Sequence, residues 1–222
     1  MKQTLKQLVE RFRVDAKDDV EPYIFSPEFV KEALNEAEHE AAIRARLLHE
    51  CDNERVCVID LVPGKSAYRL HESLYEITHL MRIEDGQHPM QLEIKSVEWL
   101  NQHHPHWRTD HKYVLPYAAQ TDTGLRLATP PAAQGKLRLE GYRLPLRAMC
   151  GDTDCPEIHA AHHEKLVYWA LHRAFSRPDA DGFDPQRAAT ALGQFTDYFG
   201  LRPDADLRRE TREDEPVNVS YI

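Results

Sequence analysis

The sequence predicts an α+β fold: a helical bundle formed by the N- and C-terminal helices, an inserted β-rich module of about six or seven short strands, and an extended C-terminal arm. Three observations predict it. Apolar residues recur at helical spacing up to about Leu48 and again from Pro156. Residues 56–145 alternate with period two between turn-forming pairs. From Arg202 the chain is polar and has little to bury. The expected division is residues 1–52 for the first half of the helical part, 53–149 for the inserted module, 150–201 for the second half, and 202–222 for the arm.

Leu5, Leu8, Val9 and Phe12 give a short amphipathic helix that breaks at the acidic run Asp15 to Glu21 and at Pro22. A second helix opens with Ser26 as N-cap and Pro27 in its first position. It carries Phe29, Val30, Ala33, Leu34, Ala37 and Ala41 on one face, an alanine-rich face suited to close helix packing. Strands are expected at VCVIDL, AYRL, YEITHLMRI and MQLEI, with Pro63-Gly64 and Asp85-Gly86 as turns. A helical turn covers Ser96 to Asn101. The strand pattern then resumes in YVLPYA, GLRLATP and KLRLEGYRL. EIHAAHHEKLVYWALHRAF reads as one helix with Ile158, Ala161, Leu166, Trp169, Ala170 and Ala174 along its apolar stripe. Asp184 caps the last helix, Pro185 starts it, Ala188, Ala191, Leu192, Phe195 and Phe199 line it, and Gly200 ends it.

At 222 residues and 41% hydrophobic the chain can bury a real core. With 28 Lys plus Arg against 37 Asp plus Glu, the net charge of -9 argues against a surface that grips nucleic acid phosphates. The charged start MKQTLKQLVERFRVD lacks a signal-peptide core, and no long apolar run occurs, so the chain is read as soluble and made in a cytoplasm. Its four cysteines, Cys51, Cys57, Cys150 and Cys155, are too few for a disulfide scaffold, and reduced thiols are the expectation.

The sequence offers several metal-site candidates, and each falls short of the ligand set that its chemistry needs. His163-Glu164 would begin an HExxH zinc site, but the position of the second histidine is Val167. His159 and His163 stand one helical turn apart without an obvious third ligand, so a solvated histidine-rich face is expected. The two cysteine pairs are spaced more widely than zinc ligands usually are. DADGFD has its glycine, Gly182, in the fourth place instead of the sixth, and Thr190 where a calcium loop needs a glutamate. The phosphate-binding glycine motifs and the nucleophile elbow do not occur. No catalytic residue, metal or cofactor is therefore assigned.

The order of segments carries more information. EALNEAEHEAAIRARLL is followed by PGKSAYRLHESLYEITHLM, then by LEIKSVEWLNQHHPHWRTDHKYVLPYA, GLRLATPPAAQGKLRLEGYRLPL and CPEIHAAHHEKLVYWALHRAFSRPDADGFDPQRAATALGQFTDYFG. Over about residues 26 to 201 this order resembles the head-to-tail adaptor (connector or neck) proteins of tailed bacteriophages. The more specific features are Trp99 and Trp107 across a short loop, the RLATPP turn, Arg-Leu-Pro at 143 to 145 before the second helical region, and the EIHxxxHEKLVYWALHRAF helix.

The resemblance implies a structural virion protein and not an enzyme. It implies a ring of twelve copies under the portal, extending the DNA channel and presenting a platform for the tail. The implied partners are portal protein, tail or further neck proteins, the chain's own copies, and genomic DNA that passes without sequence-specific binding. No membrane is implied, and the expected location is the virion neck after assembly in the host bacterial cytoplasm. In the loop around NQHHPHWRTDH, Trp99, Pro105 and Trp107 are expected to be structural anchors, with the histidines as decoration. In the arm, Leu207, Arg208, Arg209, Val217, Val219, Tyr221 and Ile222 are candidates for docking on portal or on a neighbouring subunit. A metal-dependent hydrolase using a histidine-rich site is the alternative, for which metal analysis discriminates. A small binding module without an assembly role is a third reading, and it predicts a monomer even beside a portal ring.

Overall fold

The computed structural model describes residues 2–110, 112–178 and 182–203. The fold is α+β, with two compact units. One comprises Met1–Leu48 with Leu144–Arg202, and the other is built on His49–Arg143.

The helical unit joins both ends of the chain. Helix α1 (Leu5–Ala16) opens with a capping box between Thr4 and Gln7 and buries Leu5, Leu8 and Phe12. Helix α2 (Pro27–Ala45) starts as its sequence predicts, with the Ser26 hydroxyl accepting the Phe29 N–H at 3.2 Å. Its small residues Ala33, Ala37 and Ala41 lie in the core, so neighbouring helices approach closely. Between α1 and α2 the buried Asp18 carboxylate pairs with Arg13 and accepts the N–H groups of Ile24 at 2.7 Å and Phe25 at 3.2 Å. This one side chain folds the acidic run into a defined loop.

The segment predicted to be one helix from residue 157 is a 3-10 turn (Ala160–Lys165) followed by α5 (Leu166–Phe175). The physical reason is tertiary. The Glu38 carboxylate, buried on α2, takes the N–H groups of Glu157 at 2.5 Å and Ile158 at 3.2 Å and holds that stretch against its helix partner. Helix α6 (Pro185–Phe199) is capped by Asp184, whose carboxylate accepts from Gln186 and Arg187, and it ends at Gly200 with φ +86°. Arg187 then donates to the Asp15 and Ala16 carbonyls, closing the C-terminal end of α1.

The second unit holds two sheets. Its elements in chain order are β1 (His49–Glu50), α3 (Glu54–Cys57), β2 (Val58–Leu61), β3 (Ala67–Arg69), β4 (Leu74–Glu84), β5 (Met90–Gln91), β6 (Glu93–Ile94), α4 (Val97–His103), β7 (Tyr117–Gln120), β8 (Gly124–Leu127) and β9 (Gly135–Arg143). The first sheet runs β1-β9-β4-β5, with β2 also against β9, all antiparallel. The second runs β3-β8-β7-β6, where only the β6–β7 pair is parallel. Leu74, Ile77, Leu80, Leu137 and Leu139 of the first sheet and Tyr68, Ala118, Leu125 and Leu127 of the second share one core. The MQLEI run divides: Met90–Gln91 pairs with β4, Glu93–Ile94 pairs with β7, and buried Leu92 links them.

The two long strands cross closely at Gly141, where an added Cβ would stand 2.1 Å from the Glu76 carbonyl oxygen, at the β-bulges of β4. Gly141→Ala is therefore expected to lower the melting temperature of the β-rich unit, by strain of about 1–3 kcal/mol. Unchanged melting by circular dichroism would show that β4 yields at its bulges without cost.

Candidate functional site

The most distinctive local structure is the loop that follows β6. Ser96 caps α4 by accepting the Trp99 N–H at 3.0 Å, and Leu100 turns inward. Trp107 comes back beneath it at 2% exposure, and its indole N–H donates to Asn101 Oδ1 at 3.1 Å. Leu100, Trp107, Ala119 and Ala128 form a separate small core, with Val97, Trp99, Leu115 and Tyr117 packed on it.

The three predicted loop positions occupy different environments. Trp107 is buried, Trp99 is half-buried, and Pro105 is exposed. The Trp99 ring stacks on His103 at 4.3 Å and meets Tyr117 edge-on at 5.3 Å, and His104 lies 5.3 Å from Tyr117. Two of the four histidines thus belong to the aromatic packing. His106 is exposed, and His111 lies outside the described residues.

The RLATPP turn has a holder that the sequence reading missed. Arg82, at 4% exposure, donates to Glu84 at 2.6 Å, to the Thr129 carbonyl at 2.9 Å and to the Pro130 carbonyl at 3.2 Å. The second Glu84 oxygen accepts the N–H groups of Ala132 at 2.7 Å and Ala133 at 2.8 Å. Burial pushes the Glu84 carboxyl up, but the Ala133 N–H, Arg82 and the Ala132 N–H together hold it below the usual glutamate range. The signal available in the sequence was a strand, LMRIE, whose inward positions are Leu80 followed by the opposite charges Arg82 and Glu84.

A second pair sits at the Arg-Leu-Pro feature. Arg143 donates to Glu50 at 2.9 Å, and Glu50 accepts the N–H groups of Asp52 and Asn53. Burial raises the Glu50 carboxyl, and these donors outweigh it and lower it overall.

His163 corrects the expectation of a solvated histidine face. It is fully buried, with Nδ1 accepting the Gln3 N–H at 3.1 Å and Nε2 at 3.0 Å from the Ile158 carbonyl. Both ring nitrogens are used by backbone, which assigns the Nε2–H tautomer. His159 caps the 3-10 turn through Nδ1, and His162 meets the Tyr198 hydroxyl at 3.1 Å. Burial, with His159 and His163 beside it, holds His162 below the usual histidine range.

All four cysteines are free thiols. Burial pushes the Cys57 thiol up to about 11, the setting of an inert thiol. The Cys150 loop is organised by Asp154, which accepts the N–H groups of Cys150 at 2.8 Å and Gly151 at 2.7 Å. Among the described residues no group of three or more His, Cys, Asp or Glu could hold a metal ion, and no helix is long and apolar enough to cross a membrane.

The arm positions Leu207, Arg208, Arg209, Val217, Val219, Tyr221 and Ile222 lie outside the described residues. Residues 3–220 match the family model described as SU10 adaptor protein. A comparison with the curated proteins gives no match.

Proposed function

The chain belongs to the SU10 adaptor protein family and is a structural bacteriophage adaptor of the virion, working with portal and tail proteins; from that premise we propose that it closes into a ring under the portal. The single observation that carries this reading is the family match, which extends over nearly the whole chain. The ring is read as twelve subunits from the resemblance of the sequence to head-to-tail adaptors. It extends the channel through which genomic DNA passes and gives the tail its platform, and it assembles in the host bacterial cytoplasm. A ring needs a heterologous contact, so each copy offers two different complementary surfaces. The net charge of -9 suits a channel wall that does not hold phosphates.

Within this reading the aromatic loop, with Trp99, Pro105 and Trp107, keeps the β-rich unit rigid enough to serve as one of those surfaces. The arm is the element that docks on portal or on a neighbouring subunit, through Leu207, Arg208, Arg209, Val217, Val219, Tyr221 and Ile222.

Electron microscopy of the purified chain mixed with portal-bearing capsids tests the proposal. A ring added at the portal vertex is expected. Deleting residues 203–222 is expected to leave a folded chain that decorates portals poorly. A folded full chain that never adds to the portal would sink the ring, and normal attachment of the shortened chain would sink the role of the arm.

A further inference from the structure

Three arginines gather on the outer side of the second sheet. Arg126 of β8 is exposed, and its guanidinium lies 5.7 Å from the centre of the Trp107 ring. Arg108 covers the same ring at 4.2 Å and donates to Asn101 at 2.6 Å. Arg69 of β3 is exposed and pairs with Gly124, while Arg126 pairs with Ala67. That register puts Arg69 and Arg126 on one face as diagonal neighbours, about 7–8 Å apart at the backbone. No carboxylate among the described residues is paired with any of the three, in a chain whose acids outnumber its bases. Next to this small core the chain exposes Tyr113 at 80% and Val114 at 56% before Leu115 turns back into it.

The helical unit carries the opposite character. In the loop between α1 and α2, Asp19 and Glu21 are exposed and have no ion pair among the described residues, unlike Asp15 and Asp18. Among them stand Val20 at 75%, Ile24 at 57% and Tyr23 at 39% exposure. Asp18 fixes this loop, so its apolar side chains are presented on an ordered backbone.

We infer that the Arg69–Arg126–Arg108 face of one copy docks on the acidic, apolar loop 19–24 of a second copy, and that this is the heterologous contact of the ring. The inference rests on the ring reading above. The two surfaces are complementary: a cationic patch beside exposed Tyr113 and Val114 meets an anionic loop studded with Val20, Tyr23 and Ile24. Apolar groups at the centre and opposite charges around them are the usual anatomy of a specific interface. Arginine forks bind carboxylates in two-point fashion, and the stacking on Trp107 orients two of these forks before contact. A nucleic acid is the weaker occupant. The Trp107 ring is buried under the arginines and has no face left for a base, and the chain as a whole is acidic.

The experiment uses the full chain on portal-bearing capsids, scored as the fraction of portals that carry a ring. Arg69→Glu with Arg126→Glu is expected to lower that fraction about tenfold, and so is Asp19→Lys with Glu21→Lys. A chain carrying all four changes regains most of the lost assembly, because the charges are exchanged and not removed. Arg69→Glu alone, at a side chain with no ion-pair partner among the described residues, keeps the test valid if the change at Arg126 loosens Trp107. Rings that form as in the parent chain with each reversed pair, or a fourfold variant that is not rescued, overturn this contact while leaving the ring itself standing. Loss of duplex DNA binding on Arg69→Glu with undiminished ring assembly overturns it too and assigns the patch to nucleic acid. Failure of the parent chain to form any ring removes the premise and the inference together.

Discussion

Trp107→Ala is expected to cost the β-rich unit about 3–5 kcal/mol. The indole is 2% exposed, fills the small core with Leu100, Ala119 and Ala128, and has its N–H satisfied by Asn101. Truncation leaves a cavity, an Asn101 side-chain oxygen with Arg108 as its remaining donor, and two arginines without the ring they cover. Domains of this kind have total stabilities of about 5–15 kcal/mol, so the loss is a large share of what holds the unit folded. Replacing His103 and His104 together removes one exposed stacking partner and one half-buried contact, and a loss of about 1 kcal/mol is expected. Urea unfolding followed by far-ultraviolet circular dichroism compares the two. Equal losses would mean that the loop is held by its histidines as much as by its tryptophan.

The other large effect is predicted at Glu84. Glu84→Gln removes the charge that neutralises Arg82 in a site where both side chains are about 5% exposed. Breaking a buried pair from one side typically costs about 3–5 kcal/mol, because the remaining charge has no water to turn to. In the same step the N–H groups of Ala132 and Ala133 are left to compete with Arg82 for one amide oxygen. The pH dependence carries a distinguishing sign. Glu84 is held below its ordinary value of 4.5, so its contribution is complete above that value and is lost as pH falls through the lower value of the folded state. The parent chain is expected to lose stability over that acid window, and Glu84→Gln to lose less of what it has left there. A variant as stable as the parent at neutral pH, with the same acid profile, would show that Arg82 is neutralised by the two carbonyls alone.

The features read correctly from the sequence are those whose causes are local. Ser26-Pro27 and Asp184-Pro185 start helices because capping needs only the next three residues, and Gly200 ends one because it takes a positive φ. The alternation in KLRLEGYRL is that of β9, whose leucines point into the core. The features not read are those fixed by distant partners. Glu38 turns the start of a predicted helix into a 3-10 turn from a position 120 residues away from Ile158. His163 reads as a surface residue by composition and is buried because Gln3 and Ile158 supply both its hydrogen bonds. YVLPYA reads as a strand by alternation, yet pairing begins only at Tyr117, after Pro116, which lacks the N–H that a ladder needs. In the loop of the candidate site, a buried place for Trp107 was legible from the size of its side chain. Arg82 and Glu84 were not, because period-two patterning treats an inward charge as an interruption.

The pairing of His49 with Tyr142 has a consequence for the entropic cost of folding. The helices of the first unit come from both ends of the chain and meet across the whole of residues 49–143. In an open coil, joining them requires closing a loop of that length, at an entropic cost that exceeds that of a short connection by about 2–3 kcal/mol. Once β1 lies along β9, residues 49 and 142 are neighbours, and the remaining closure is a matter of a few bonds. The paired sheet unit thus acts as a clasp that lowers the entropic cost of helix assembly.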